Sequence, residues 1–139
     1  FMQALSSGFM ADFPGLRWII PHGGGAVPYH WGRFKGMAAD QGWDFDGLLD
    51  HIYFDTCVYH QPGINLLLDV VPTENVLFAS EMVGAVRGID PDTGNYYDDT
   101  KIYVDNAMVD GVALDDAAKR VIFESNALKV FPRLELGND

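Results

Sequence analysis

The sequence predicts an α/β fold built on a short parallel sheet. Apolar runs at residues 16–21, 52–57 and 76–80 are short and nearly continuous, and longer stretches of helical period lie between them. Strands buried on both faces read as such runs. The order strand, helix, strand, helix, strand, helix is that of parallel strands joined by right-handed crossovers. At 139 residues the chain makes one domain at most, since domains cluster near roughly 100–150 residues. Three such units suit the corner of a doubly wound sheet or a slice of a barrel, and periodicity alone does not separate the two.

The first run, Leu16-Arg17-Trp18-Ile19-Ile20-Pro21, follows a Pro14-Gly15 turn. It is rich in β-branched and aromatic side chains and ends on Pro21, which donates nothing to a ladder. A helix is predicted over 29–37 and a short one over 46–51, parted by Asp40-Gln41-Gly42. After the second strand, a helix over 63–71 is expected to carry Leu66, Leu67, Val70 and Val71 on one face and to stop at Pro72. The third strand leads into a loop over 84–98 rich in Gly and Asp, then into helices over 99–108 and 115–130. Asp115 and Asp116 suit the positive N-terminus of the last helix, and Lys129 its negative end.

Composition narrows the function. Hydrophobic residues make up 48 % and aromatic residues 13 %, which excludes a disordered chain. Nine Lys and Arg stand against 20 Asp and Glu, a net charge of −11. Without a basic stripe or polybasic run, nucleic acid and anionic membrane are not expected as main partners. No run approaches the roughly 20 apolar residues of a membrane helix, and Phe1-Met2-Gln3-Ala4-Leu5 lacks the basic region and cleavage site of a signal peptide. The one cysteine, Cys57, allows no intrachain disulfide and fits a reducing cytoplasm. Phe1 opens what reads as a helix already under way, so the chain is expected to be a piece of a longer one.

Parallel α/β folds gather their chemistry at the carboxyl ends of the strands. Here these ends carry His22 before Gly23-Gly24-Gly25, then Asp55-Thr56-Cys57-Val58-Tyr59-His60, then Ser80-Glu81. His22 suits a metal ligand or a general acid/base, or else a loop histidine that caps a turn. The glycine run lacks a following Lys-Ser/Thr and is not Gly-x-Gly-x-x-Gly, so it does not read as a nucleotide cradle. A carboxylate such as Glu81 at the tip of an apolar strand is costly unless paired or metal-bound, or else it sits in solvent. Cys57 with His60 reads as a buried free cysteine rather than a nucleophile. Arg33, Lys35 and Arg87 are the basic residues near these loops, as clamps for substrate carboxylates or as surface ion pairs.

The string Trp18-Ile19-Ile20-Pro21-His22-Gly23-Gly24-Gly25-Ala26 resembles the sixth-strand signature of the amidohydrolase-2 family, whose members are metal-dependent (β/α)8 barrels. Its continuation to Phe34 is similar to a hydratase branch of that family, as are residues 77–91, Ile122-Phe123-Glu124-Ser125-Asn126-Ala127 and Phe131-Pro132-Arg133-Leu134. Most members end the eighth strand in Gly-Ser/Thr-Asp-Tyr-Pro. Here Ala79-Ser80-Glu81-Met82 keeps a carboxylate one methylene longer and lacks Tyr-Pro, which favours the hydratase branch over the decarboxylases.

The resemblance implies a single partial domain over 1–139, the C-terminal part of a barrel with about strands six to eight and their helices. A whole barrel takes roughly 250 residues. The family's His-x-His pair and fifth-strand His would lie upstream of Phe1. It implies His22 and Glu81 as catalytic residues, Glu81 also as a metal ligand, and zinc in the complete protein, bound weakly or not at all by this chain alone. The reaction implied is zinc-assisted water addition to an unsaturated oxo-tricarboxylate of the oxalomesaconate kind, in aromatic-acid degradation. Arg33, Arg87, Tyr29 and His30 are the candidates for the substrate's carboxylates. Non-oxidative decarboxylation and a catalytically inert packing fragment are the alternatives. A slice of three strands leaves edges and an apolar face uncovered, so a homo-oligomer or association with the rest of the barrel is expected.

Overall fold

The computed structural model describes residues 1–81 and 85–134. Met82, Val83 and Gly84 of the 77–91 string lie outside them. The three predicted runs form one parallel sheet in chain order, with β1 at Trp18–Ile20, β2 at Ile52–Asp55 and β3 at Val76–Leu77. Trp18 lies beside Ile52 and Ile20 beside Phe54, while Phe54 and Asp55 lie beside Val76 and Leu77.

This register sorts the strand side chains onto two faces. Trp18, Ile20, Ile52, Phe54 and Val76 share one, and it packs into the main core with Phe45, Leu48, Ile64, Leu67 and Val104. Tyr53 and Leu77 share the other and meet Val130 and Ala127 in a small second cluster. β2 and β3 are buried at every residue, as expected, but β1 is not: Ile19 is 41 % exposed. Among the described residues the second cluster reaches β2 and β3 and leaves the face beneath Ile19 open.

The N-terminal segment folds as α1 (Met2–Ser7) and α2 (Phe9–Asp12), parted by Gly8 in the left-handed region. α3 (Trp31–Gln41) is longer than the 29–37 expected and stops at Gly42, whose φ of 71° a side chain would resist. α4 (Phe45–Leu49) starts on Asp44, whose carboxylate accepts the Gly47 N–H. α5 (Gln61–Val70) has Pro62 in its first turn, where the missing N–H does no harm. Its buried stripe is Ile64, Leu67, Leu68 and Val71, with Leu66 38 % exposed. The face is thus turned from the one predicted. Those four positions follow i, i+3, i+4, i+7 spacing, and the run Leu66-Leu67-Leu68 hides that phase.

The loop before α6 (Lys101–Asp105) is tied down by Asp90, which accepts from the Asp92 N–H and the Tyr103 hydroxyl at 2.9 and 2.8 Å. The helix predicted over 99–108 is shorter than expected because a hairpin follows it. β4 (Met108–Val109) and β5 (Val112–Ala113) pair antiparallel around Asp110 and Gly111, both at positive φ. Asp-Gly is the dipeptide that such a turn demands. The helix expected over 115–130 is present, as α7 (Asp116–Arg120) and α8 (Asn126–Val130) joined through a π segment at Val121–Ser125. Asp115 caps it by accepting the Ala118 N–H. Among the described residues, no helix is long and apolar enough to cross a membrane.

Two buried amides lock the N-terminal ends of the strands. Asn75 donates to the carbonyls of Leu49 and Ile52, and Asn126 to those of Thr73 and Val76, the latter pair at 2.8 and 2.7 Å. Asn126→Ala leaves two carbonyls without their donors, each costing about 1–3 kcal/mol when buried. Urea unfolding should show a loss of about 2 kcal/mol or more at unchanged m-value.

Candidate functional site

Three side chains meet at the carboxyl ends of the strands. His22 follows β1, Tyr59 follows β2 and Glu81 follows β3. His22 Nδ1 stands 3.8 Å from Glu81 Oε2, and the Tyr59 hydroxyl donates to that same oxygen. Both His22 and Glu81 are partly open to solvent, with side chains 59 and 38 % exposed.

The backbone marks the same two residues. Three non-glycine residues among those described have left-handed φ: His22 at 57°, Glu81 at 51° and Asp110 at 50°. Asp110 belongs to the hairpin turn. The other two hold uncommon conformations at strand tips, the kind of local cost that collects at working sites.

The glycine run after His22 serves packing. Asp55, at the tip of β2, accepts the N–H groups of Gly23 and Cys57 at 3.0 and 3.1 Å. A side chain at Gly23 would collide with Val58, and one at Gly24 would sit 2.7 Å from the Phe54 ring. The glycines therefore let the β1 tip lie down on the β2 tip and turn His22 towards Glu81. The Gly24 and Gly25 N–H groups are used by the Pro21 and His22 carbonyls, so the run is not a phosphate cradle.

Burial governs the protons here. The Cys57 thiol is 4 % exposed and pushed up to about 12, first by burial and then by the negative charges of Asp55 and Glu81. It is held as a thiol. The Tyr59 phenol is also raised above its ordinary value, by burial first, by its hydrogen bond to Glu81 second and by the Glu81 charge third, with a smaller push from the charge of Asp98. Asp98 itself is 2 % exposed, and its Oδ2 has no hydrogen-bond partner among the described residues.

The remaining candidates stand apart from this trio. Arg33 is exposed on α3, Arg87 lies over the Tyr96 ring at 5.5 Å and Lys35 lies over Phe45 at 5.9 Å. Tyr29 is 76 % exposed and meets His30 edge-on at 4.9 Å. Among the described residues, no ion pair or hydrogen bond joins Arg33, Arg87, Tyr29 or His30 to His22, Tyr59 or Glu81. His60 leads into α5. Sequence reasoning missed Tyr59, whose one signal is its place four residues beyond the Asp55 that ends β2.

No group of three or more His, Cys, Asp or Glu among the described residues is arranged to hold a metal ion. His22 and Glu81 offer two donors, and Tyr59 already occupies one Glu81 oxygen. A tight zinc site takes three or four protein ligands, so these residues do not fit a metal by themselves.

The sequence pattern of the amidohydrolase family matches residues 1–133. The chain is 58 % identical over 137 residues to the 2-keto-4-carboxy-3-hexenedioate hydratase of Sphingobium sp. (strain NBRC 103272 / SYK-6), covering 97 % of this chain and 39 % of that protein. It superposes on the crystal structure of 4-oxalomesaconate hydratase from Rhodopseudomonas palustris with a TM-score of 0.88 at 56 % identity, covering 96 % of this chain and 40 % of that one. The 6-methylsalicylic acid decarboxylase of Penicillium expansum is more distant, 28 % identical over 142 residues, with 96 and 40 % covered. The chain thus spans about two fifths of the length of these relatives.

The raised thiol pKa has two measurable consequences. At pH 8 native Cys57 should react with Ellman's reagent on the order of a thousandfold more slowly than the unfolded chain, since only the thiolate attacks and the native thiol is pushed from 9.0 up to about 12. The folded state also holds this proton more tightly than the unfolded chain. That contribution to stability is intact below about 9 and is lost as pH climbs towards 12. Cys57→Ala should remove part of the alkaline slope in urea midpoints over this window.

Proposed function

The chain belongs to the amidohydrolase family, and from that premise we propose that it carries the strand-tip residues of a hydratase. The reaction is addition of water across a carbon–carbon double bond conjugated to a keto acid, on a polycarboxylate of the oxalomesaconate kind. One observation carries this reading: Glu81, bent back at positive φ, is held by Tyr59 and faced by His22 at 3.8 Å. The high identity to the Sphingobium hydratase supports it. In the same reading β1, β2 and β3 are the sixth to eighth strands of a (β/α)8 barrel, and residues 1–139 form one partial domain. A strand from the rest of the barrel would cover the outer edge of β1.

The chemistry assigned to these residues is proton transfer. Glu81 takes a proton from the attacking water while the water oxygen bonds to one alkene carbon. His22, as imidazolium, gives a proton to the other carbon. Glu81 is then protonated and His22 neutral, and return of the proton across their short separation resets the pair. Tyr59 holds the carboxylate in line throughout. Arg33 and Arg87, with Tyr29 and His30, are proposed to meet the substrate's carboxylates. The family is metal-dependent, and the zinc that the resemblance implies would need donors beyond those gathered here.

In the complete protein as the cell makes it, Glu81→Gln should lower turnover by at least about a hundredfold, the lower end of what acid–base catalysis contributes. Glu81→Asp keeps the charge one methylene back and should lose less, yet stay clearly impaired. Turnover at saturating substrate, with bound metal quantified in each variant, checks this. Near-normal turnover in Glu81→Gln would return Glu81 to a solvated loop residue, and release of CO2 by the parent would favour the decarboxylase reading.

A further inference from the structure

Ala79 lies two residues past β3 and two before Glu81, and none of its hydrogen bonds are ladder bonds. Its N–H donates to Thr56 Oγ1 at 2.9 Å, and its carbonyl accepts from Thr56 Oγ1 at 2.8 Å and from Thr100 Oγ1 at 2.6 Å. Both threonines are fully buried. The β2–β3 register ends at Asp55 and Leu77, so the hydroxyl of Thr56, the residue after β2, continues the pairing where the backbones stop.

Thr100 is notable for the bond it does not make. It stands at the start of α6, where a threonine hydroxyl ordinarily accepts a helix N–H. Here it has helical backbone angles of −69° and −12° and caps nothing. Its hydroxyl is spent on Ala79 instead. A hydroxyl satisfied by its own helix would be a local feature, whereas this one joins the far end of the 85–100 loop to the approach of Glu81.

We propose that Thr100 and Thr56 are positioning residues, which clasp the Ala79 peptide and so hold the Glu81 carboxylate within reach of His22 and Tyr59. The inference rests on the reading of Glu81 as the proton acceptor. With Ala79 fixed on both its polar groups, the left-handed turn at Glu81 starts from a rigid point. Without the Thr100 hydroxyl, the carbonyl keeps one donor of two and the tip gains freedom. A catalytic group displaced by about 1 Å costs on the order of a hundredfold, so a partial release is expected to cost about tenfold.

The test compares Thr100→Val, Thr100→Ser and Glu81→Gln in the complete protein. Thr100→Val, close in shape, should lower kcat about tenfold with KM within about twofold, and Thr100→Ser should restore kcat to within about threefold of the parent. The split between kcat and KM, together with rescue by serine, is what a merely structural threonine would not give. Thr100→Ala replaces the valine variant if that one does not fold. Unchanged kcat in Thr100→Val, a KM that moves as much as kcat, or a loss that serine does not restore overturns the clasp alone when Glu81→Gln is inactive. Near-normal turnover in Glu81→Gln takes down the clasp together with the reading of Glu81.

Discussion

Asp55, buried at the tip of β2, receives the N–H groups of Gly23 and Cys57 and so does what a longer ladder would otherwise do. The sheet pairs only three residues of β1 and two of β3 with β2. Backbone groups just past those pairs are buried and need partners, and side chains supply them: Asp55 and the two threonines at the carboxyl ends, Asn75 and Asn126 at the amino ends. The order of the whole molecule depends on this substitution. It also divides the labour of the sheet. The amides at one end act on regular strand starts and fix the fold, while the carboxylate and hydroxyls at the other end act on turns that carry His22 and Glu81.

The charge of the site sharpens what the substrate must bring. Asp55 and Glu81 both act on Cys57, and Glu81 and Asp98 both act on Tyr59. The chain as a whole carries −11. A polycarboxylate nearing these tips meets charges of its own sign, at ranges shorter than the roughly 8 Å over which salt screens them. Its binding energy must therefore come from positive groups placed around the trio rather than within it. That requirement gives the exposed Arg33 and Arg87 their interest.

Much of this was legible from the residues. Three apolar runs of β-branched and aromatic side chains became three parallel strands, two of them buried on both faces and β1 on one. Asp115 took the helix-start position that its chemistry favours. The failures have physical reasons. The Leu66-Leu67-Leu68 run fits a helix in several rotations, and only contact with Ile64 and Val71 selects one. The hairpin at 108–113 was readable in Asp110-Gly111, yet the apolar residues around it also fit a longer helix. Tyr59 was invisible as a site residue because a phenol acquires its role from the carboxylate it meets, and Glu81 comes 22 residues later. The wide spacing of Arg33 and Arg87 gave no distances, and among the described residues neither has a hydrogen bond or ion pair to the trio.

The π segment between α7 and α8 is a correction of length. At residues 121–125 the helix widens, and there the Ile122 carbonyl turns outward to accept the Phe78 N–H at 3.1 Å, one residue past β3. Four residues later Asn126 reaches the Val76 carbonyl. In this wider turn the Asn126 N–H reaches back to the Val121 carbonyl instead of the Ile122 carbonyl that a regular α-helix would use, so removing one residue here would close the coil and take that carbonyl away from the strand. The helix holds one residue more than its own geometry wants, and that surplus keeps two of its groups in step with a strand of a different pitch.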